Sequence, residues 1–375
     1  MMFFVRPYQS SFKRSFFRWH QYESDLAYVS TISLASPSTN EKPCLLLLPG
    51  FGVGTFHFEE NMLGLKEHFD VYSLDLLGQG DSWPDNPRQD NLQYSCELWK
   101  EQIRNIITNV IKRPVHLAGN SLGGYLAAIL ASEYSEELQI KSINLINPTP
   151  FWGFQEAENP LFWDGVLGSL PEWAFNLGST WFNTLRNQKT VTSMLSGVYY
   201  NEKAIDNKLV DNIISSASKK GGPEAFTSIV FSPKYGNGKS FDDILKDIRH
   251  IPVTFVMGQR DPWVVPYWAQ RAKRVLKEDM LYIELDNSGH CPHQESPATF
   301  NFIMKSLIDE IEEHSNEDQG NGRRGRVANL GEVYANIASK VDGKSFTEQT
   351  GTAVCINIKD GSPQQIFERI GALLE

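Results

Sequence analysis

Val115-His116-Leu117-Ala118-Gly119-Asn120-Ser121-Leu122-Gly123-Gly124-Tyr125 is an apolar strand pattern that runs through Gly-x-Ser-x-Gly into an alanine-rich helical pattern. A serine on so sharp a strand-to-helix turn must hold a strained backbone. Glycines two residues to either side, Gly119 and Gly123, let strand and helix approach closely enough to project its hydroxyl. The helix that begins there points its first N–H groups towards the serine. Ser121 is therefore the candidate nucleophile. Taken alone, a glycine-rich turn also suits a purely structural connection, so the rest of the chain has to supply the partners such a serine needs.

Working outward, the chain alternates strand and helix. Cys44 to Leu48 is a continuous apolar run, expected of a strand buried on both faces, and it ends in the flexible turn Pro49-Gly50-Phe51-Gly52-Val53-Gly54. Val71 to Leu76 reads as the next strand, closing in Gly78-Gln79-Gly80-Asp81-Ser82. Leu98 to Ile111 carries isoleucines and valine at three- and four-residue spacing and predicts an amphipathic helix. Ile143 to Ile146, Pro252 to Gly258 and Leu281 to Leu285 complete the strand pattern. The expectation is an α/β chain with a mostly parallel sheet and helices on both faces.

Two further residues stand just past strand ends. Asp261 follows Pro252 to Gly258, and His290 follows Leu281 to Leu285 in Ser288-Gly289-His290-Cys291-Pro292-His293. The chain order Ser, Asp, His resembles that of the α/β-hydrolase fold, in which the site gathers at the carboxyl ends of the strands. An unperturbed serine hydroxyl is a poor nucleophile, so His290 would accept its proton while Asp261 orients the imidazole. A tetrahedral intermediate needs donors. The backbone N–H groups of Phe51 and Leu122 are the candidates, and losing one such donor commonly costs ~3 kcal/mol. Asp75 and His293 are the near alternatives for acid and base, but Asp75 precedes the serine and only His290 directly follows the glycine of its turn.

Composition bounds the rest. The chain has 375 residues and a formal net charge of -10, which excludes a nucleic-acid surface because phosphate binding needs clustered positive charge. The longest tight apolar cluster, Leu45 to Leu48, stops at Pro49, so no transmembrane segment is expected. Four widely spaced cysteines imply neither a zinc site nor a disulfide framework. Residues 1–15 form a basic segment with the composition of an organelle transit sequence. Against that, Phe16 to Trp19 paired with Leu26 to Val29 would make an opening hairpin. Hydrolase-core segments are expected at 16–150 and 247–313, separated at 151–246 by an aromatic insertion that reads as a helical lid. Most of its aromatics would form the lid's own core; Trp152 and Phe154, next to the sheet, are the candidate substrate contacts. Residues 314–326 read as a linker. Residues 327–375 form an extension of unknown role, with a helix at Leu330 to Val341, a strand at Ala353 to Ile358 and a helix opened by Ser362-Pro363.

Six runs carry a closer resemblance: Leu-Pro-Gly-Phe-Gly-Val-Gly-Thr-Phe-His (48–57), Leu-Gly-Gln-Gly (77–80), Gly-Asn-Ser-Leu-Gly-Gly-Tyr (119–125), Asn-Pro-Thr-Pro-Phe-Trp-Gly-Phe (147–154), Asp-Pro-Trp-Val (261–264) and Gly-His-Cys-Pro-His (289–293). Over roughly residues 16–313 the chain resembles the pheophytinases of chlorophyll breakdown. The resemblance implies a serine hydrolase that removes phytol from pheophytin in the chloroplast, with Ser121, Asp261 and His290 in the triad positions. It implies a hydrophobic tetrapyrrole ester as substrate, peripheral contact with thylakoid membrane or pigment proteins, and no cofactor. A chlorophyll dephytylase, a general carboxyl or lipid esterase, and a non-turnover ligand receptor of the same fold are the alternatives. An aspartate in place of Ser121 would mark epoxide hydrolases and dehalogenases of this fold.

Overall fold

A computed structural model describes residues 12–31, 42–86, 92, 94–149, 180–219, 221–223, 225, 239–264, 267–277, 280–319, 330–343 and 353–355. Its centre is β3 (Cys44–Leu48), where period-2 geometry sends alternate leucines to opposite faces of the sheet. Leu46 and Leu48 enter one apolar core, and Leu45 and Leu47 enter the other. All four are fully buried, which is why the strand reads as an uninterrupted apolar run.

Among the described residues the sheet has ten strands, in the order β1 (Lys13–Trp19), β2 (Ser24–Ser30), β4 (Asp70–Leu74), β3, β6 (Val115–Asn120), β7 (Ile140–Ile146), β8 (Val253–Gly258), β9 (Leu281–Leu285) and β10 (Ala353–Cys355), with the short β5 (Trp83–Pro84) paired to β2. β4, β3, β6, β7, β8 and β9 run parallel. β1 and β2 form the opening hairpin, with Phe16 opposite Ala27, and β2 adds antiparallel to β4. Of the expected basic segment, residues 1–11 lie outside the described residues, and Arg14 belongs to the fold: it is paired with Asp81 and reaches Thr55 Oγ1 at 2.9 Å. Helices Cys96–Ile106, Leu122–Tyr134, Phe241–Ile248 and Tyr267–Leu276 cover one face. Helices Glu59–Leu65, Pro297–Gln319 and Leu330–Val341 cover the other.

Four boundaries differ from expectation. The amphipathic helix begins at Cys96, capped by the Ser95 side chain, and ends at Ile106 in a π-type turn over Ile107–Ile111. Helix Phe241–Ile248 buries Phe241, Ile244, Leu245 and Ile248 in the core, so residues 241–246, expected in the insertion, pack with the sheet. The segment expected as a linker from 314 is helical to Gln319, because Pro297–Gln319 carries its polar turns beyond the apolar stripe that ends at Ile311. The described part of the tail, 330–343 and 353–355, packs into the fold. Val333, Tyr334, Ile337 and Val341 are buried in the second core, the backbone N–H of Val253 donates to Tyr334 Oη at 2.9 Å, and β10 (Ala353–Cys355) pairs antiparallel with β9. The expected residues 356–358 of that strand and the helix at Ser362 lie outside the described residues. No helix among the described residues is long and apolar enough to cross a membrane.

β6 and the helix Leu122–Tyr134 meet with almost no space between them. A Cβ built on Gly123 would lie 2.2 Å from the Leu48 carbonyl oxygen, and one on Gly119 would lie 2.3 Å from the Gly123 carbonyl. Both obstacles are backbone and cannot swing away. Gly123→Ala is therefore expected to destabilise the fold by about 1–3 kcal/mol or more. A denaturant midpoint equal to wild type would contradict this packing.

Candidate active site

Ser121 sits between β6 and the helix Leu122–Tyr134 with φ 53° and ψ -119°, a left-handed backbone that a residue with a Cβ rarely adopts. The neighbours compel it. Its N–H donates to Ile146 O at 2.9 Å, and its carbonyl accepts from Gly124, Tyr125 and Thr149 N–H at 3.1–3.2 Å. The side chain is 8% exposed and lines a cavity of about 400 Å3.

Asp261 and His290 are brought together at the ends of β8 and β9. Asp261 Oδ2 receives His290 Nδ1 at 2.6 Å and the Asn147 side-chain amide, while Oδ1 accepts Trp263 and Val264 N–H at 2.7 and 3.0 Å. Four donors hold one buried carboxylate, so its rotamer is fixed and both of its oxygens are engaged as acceptors. His290 then carries its proton on Nδ1, which leaves Nε2 as the nitrogen able to accept one. His290 is 4% exposed and lines the same cavity as Ser121.

The glycine turn borders the serine. A Cβ on Gly50 would lie 3.3 Å from Ser121 Cβ, and Gly50, Phe51 and Gly52 all line the cavity. Leu122 is the first residue of its helix, where N–H groups lack intrahelical acceptors. The near alternatives stand apart. Asp75 accepts Thr55 and Asp81 N–H at 2.6 and 2.9 Å and faces Arg14, so it pins two turns together and does not line the cavity. His293 is buried against Phe58 with ring centroids 4.4 Å apart, and burial drives its pKa well below the usual histidine range. Trp152 and Phe154 lie outside the described residues.

Sequence reasoning missed three residues that position this site. Asn147 ends β7 at φ 40°; it accepts Gly258 N–H on Oδ1 and donates to Asp261 through Nδ2. Asparagine tolerates that left-handed backbone, which was the available signal. Asn120 Nδ2 donates to the His290 carbonyl at 2.9 Å, tying the serine turn to the histidine turn. Glu295 is 2% exposed, and its carboxylate accepts backbone N–H from Gly289, Cys291, Tyr200 and Asn201 within 3.1 Å. Burial pushes its pKa up, against those four donors. It thereby fastens Tyr200–Asn201 to the histidine turn, where the His290 N–H also donates to Val198 O at 3.0 Å.

The remaining wall is mostly apolar, with Val53, Phe182, Leu185, Val191, Leu195 and Ile213 among its residues; Gln79, Arg186 and Ser216 are polar members of it, and no aspartate or glutamate is among those described. His57 is also in the wall, but both ring nitrogens are engaged: Nε2 with Tyr199 Oη at 2.8 Å, Nδ1 with His293 Nε2 at 3.1 Å. Burial, then the nearby His290, lowers its pKa to about 3, so it is neutral near pH 7. Among the described residues no cluster of three or more His, Cys, Asp or Glu could hold a metal ion.

An activated serine needs His290 held at one angle, and Glu295 is the outer brace of its turn. Glu295→Gln, which substitutes an NH2 for an acceptor facing four N–H donors, is expected to lower ester turnover by about tenfold or more. Wild-type turnover in a folded variant would show that the brace is dispensable.

Comparison with known proteins agrees with this architecture. Residues 45–301 match the alpha/beta hydrolase family. The chain is 30% identical over 308 residues to the chloroplastic pheophytinase of Arabidopsis thaliana, covering 72% of this chain and 62% of that protein. It is 24% identical over 297 residues to the human (lyso)-N-acylphosphatidylethanolamine lipase, covering 74% and 82%. Among solved structures, a bacterial membrane phospholipase A superposes with a TM-score of 0.59 at 21% identity, over 81% of this chain and 87% of that one. The shared sheet, the strained serine turn and the matched span together mean that this chain belongs to the alpha/beta hydrolase family.

Proposed function

We propose that the chain is a serine carboxylic-ester hydrolase that cleaves the phytyl ester of pheophytin, releasing pheophorbide and phytol. One observation carries the chemistry: His290, bonded through Nδ1 to Asp261 at 2.6 Å, lines the same apolar cavity as the strained Ser121. In this reading Ser121 Oγ attacks the ester carbonyl as its proton passes to His290 Nε2. The oxyanion takes the N–H groups of Phe51 and Leu122. Collapse then breaks the bond to phytol, whose oxygen receives the proton from His290. Water, activated by the same imidazole, frees the acid from Ser121. No cofactor enters.

The substrate assignment rests on the likeness to the Arabidopsis pheophytinase and on the cavity lining. An apolar wall stabilises a phytyl chain by roughly 25 cal/mol per Å2 buried. Trp152 and Phe154 belong to this reading as further apolar contacts, in an insertion that closes over the site as a lid. A magnesium tetrapyrrole carries an axial ligand off the ring plane, and stripping it without a replacement costs several kcal/mol. The cavity offers little in exchange: His57 is committed to Tyr199 and His293, His290 Nε2 is in this reading the acceptor of the Ser121 proton, and the lid sequence 151–246 contains no histidine. That favours metal-free pheophytin over chlorophyll. Chloroplast location and peripheral contact with thylakoid membrane or pigment proteins follow from the same assignment.

The deciding experiment presents pheophytin, chlorophyll and a short acyl ester to the purified protein under one detergent condition. Steady turnover with pheophytin preferred by about a hundredfold is expected, equivalent to ~3 kcal/mol in the transition state. Comparable hydrolysis of chlorophyll would make the protein a dephytylase, preference for the short ester a general esterase, and a single product burst a receptor. Ser121→Ala and His290→Ala should each cut turnover by roughly 10^6-fold while preserving the fold. Near-wild-type rates in either would refute the mechanism.

A further inference from the structure

Gln79 lies in the wall of the cavity that holds Ser121 and His290, within the tight turn after β4. Its backbone closes that turn, donating to Leu76 O at 2.9 Å and accepting from Ser82 N–H at 3.1 Å. The side chain is 4% exposed and reaches across to the glycine turn, where Oε1 accepts Gly52 N–H at 2.5 Å. A backbone N–H only donates, so the orientation of the amide is settled: oxygen towards Gly52, NH2 away from it. That Nε2 is buried and has no hydrogen-bond partner among the described residues. A buried donor left over in a cavity wall is a place for a ligand's acceptor, since buried polar groups are otherwise paired.

We propose that Gln79 is a substrate-recognition residue whose Nε2 donates to an acceptor oxygen, a keto or second ester carbonyl, on the acid portion of the substrate. The proposal rests on the serine-hydrolase reading above. Gln79 is anchored at Gly52, one residue along from Phe51, and the proposal assigns its amide to an acceptor beside the carbonyl under attack, not to that carbonyl's own oxygen. A plain fatty acyl chain has nothing to offer there. An acid with a ring carbonyl or second ester does, and a site built to donate a hydrogen bond rejects the analogue that lacks the acceptor. Gln79 would therefore separate functionalised acids from fatty acids, a selection the apolar wall alone cannot make.

The test uses the whole chain with p-nitrophenyl 4-oxopentanoate, p-nitrophenyl pentanoate and pheophytin. Gln79→Glu keeps an acceptor for Gly52 N–H but replaces the donor by a carboxylate; Gln79→Leu removes both. Near pH 8, Gln79→Glu is expected to lose about tenfold or more in kcat/KM on the oxo ester and on pheophytin, mostly through KM, and at most about threefold on pentanoate. Relative to wild type, its deficit should shrink as pH falls, because a buried carboxyl has a raised pKa and regains an O–H donor when protonated. Gln79→Leu should lose activity on both esters, more on the oxo ester. Wild-type selectivity in Gln79→Glu at every pH would overturn the proposal and leave Gln79 only a brace for the glycine turn. Should neither variant fold, the wild-type protein decides: an oxo-to-pentanoate ratio no greater than the ratio of their hydroxide-catalysed rates also overturns it. Absence of turnover of all three substrates by wild type is a different result, one that removes the hydrolase reading itself.

Discussion

The left-handed backbone of Ser121 is the constraint on which the rest of the site depends. A residue with a Cβ at φ 53° persists only where its surroundings over-determine it, and here they do. Its amide and carbonyl are held by Ile146, Gly124, Tyr125 and Thr149, and the helix behind it approaches β3 so closely that Gly123 admits no side chain. Strain at the turn is thus offset by packing across three parallel strands. The sheet places the hydroxyl at the carboxyl edge, where β8 and β9 end in Asp261 and His290.

Around that turn, polar side chains join segments distant in sequence. Asn147 links β7 to Gly258 and Asp261, Asn120 links the serine turn to His290, and Glu295 links the histidine turn to Tyr200 and Asn201. Each is buried and hydrogen-bonded, so each fixes geometry at little cost in unpaired polar groups. The cavity wall contributed by residues 182–217 is consequently fastened to the base of the site and not merely laid over it. The histidine nearest that wall, His57, spends both nitrogens on the same kind of bracing.

Much of this was legible in the residues. Cys44–Leu48 and Leu281–Leu285 were readable to the residue because strands buried on both faces need continuous apolar runs punctuated by turns. Helix Leu330–Val341 was readable from its stripe, yet its partner was not, because a single amphipathic face does not say what covers it. Residues 314–319 of the expected linker are helical for a related reason: polar residues beyond the last apolar contact extend a helix without marking it. Asp261 and His290 announced themselves by following strands. Glu295 did not, since its role is defined by four backbone N–H groups from two separate turns, and composition carries no trace of them.

The central claim is that the fold activates Ser121 in particular. Its most direct measurement is peptide mass spectrometry after brief exposure of the native protein to a fluorophosphonate, which phosphonylates only serines that are both accessible and activated by a neighbouring base. A stoichiometric adduct confined to Ser121 is predicted, and lost on prior unfolding. Labelling at another serine, or none in the folded protein, would contradict the account.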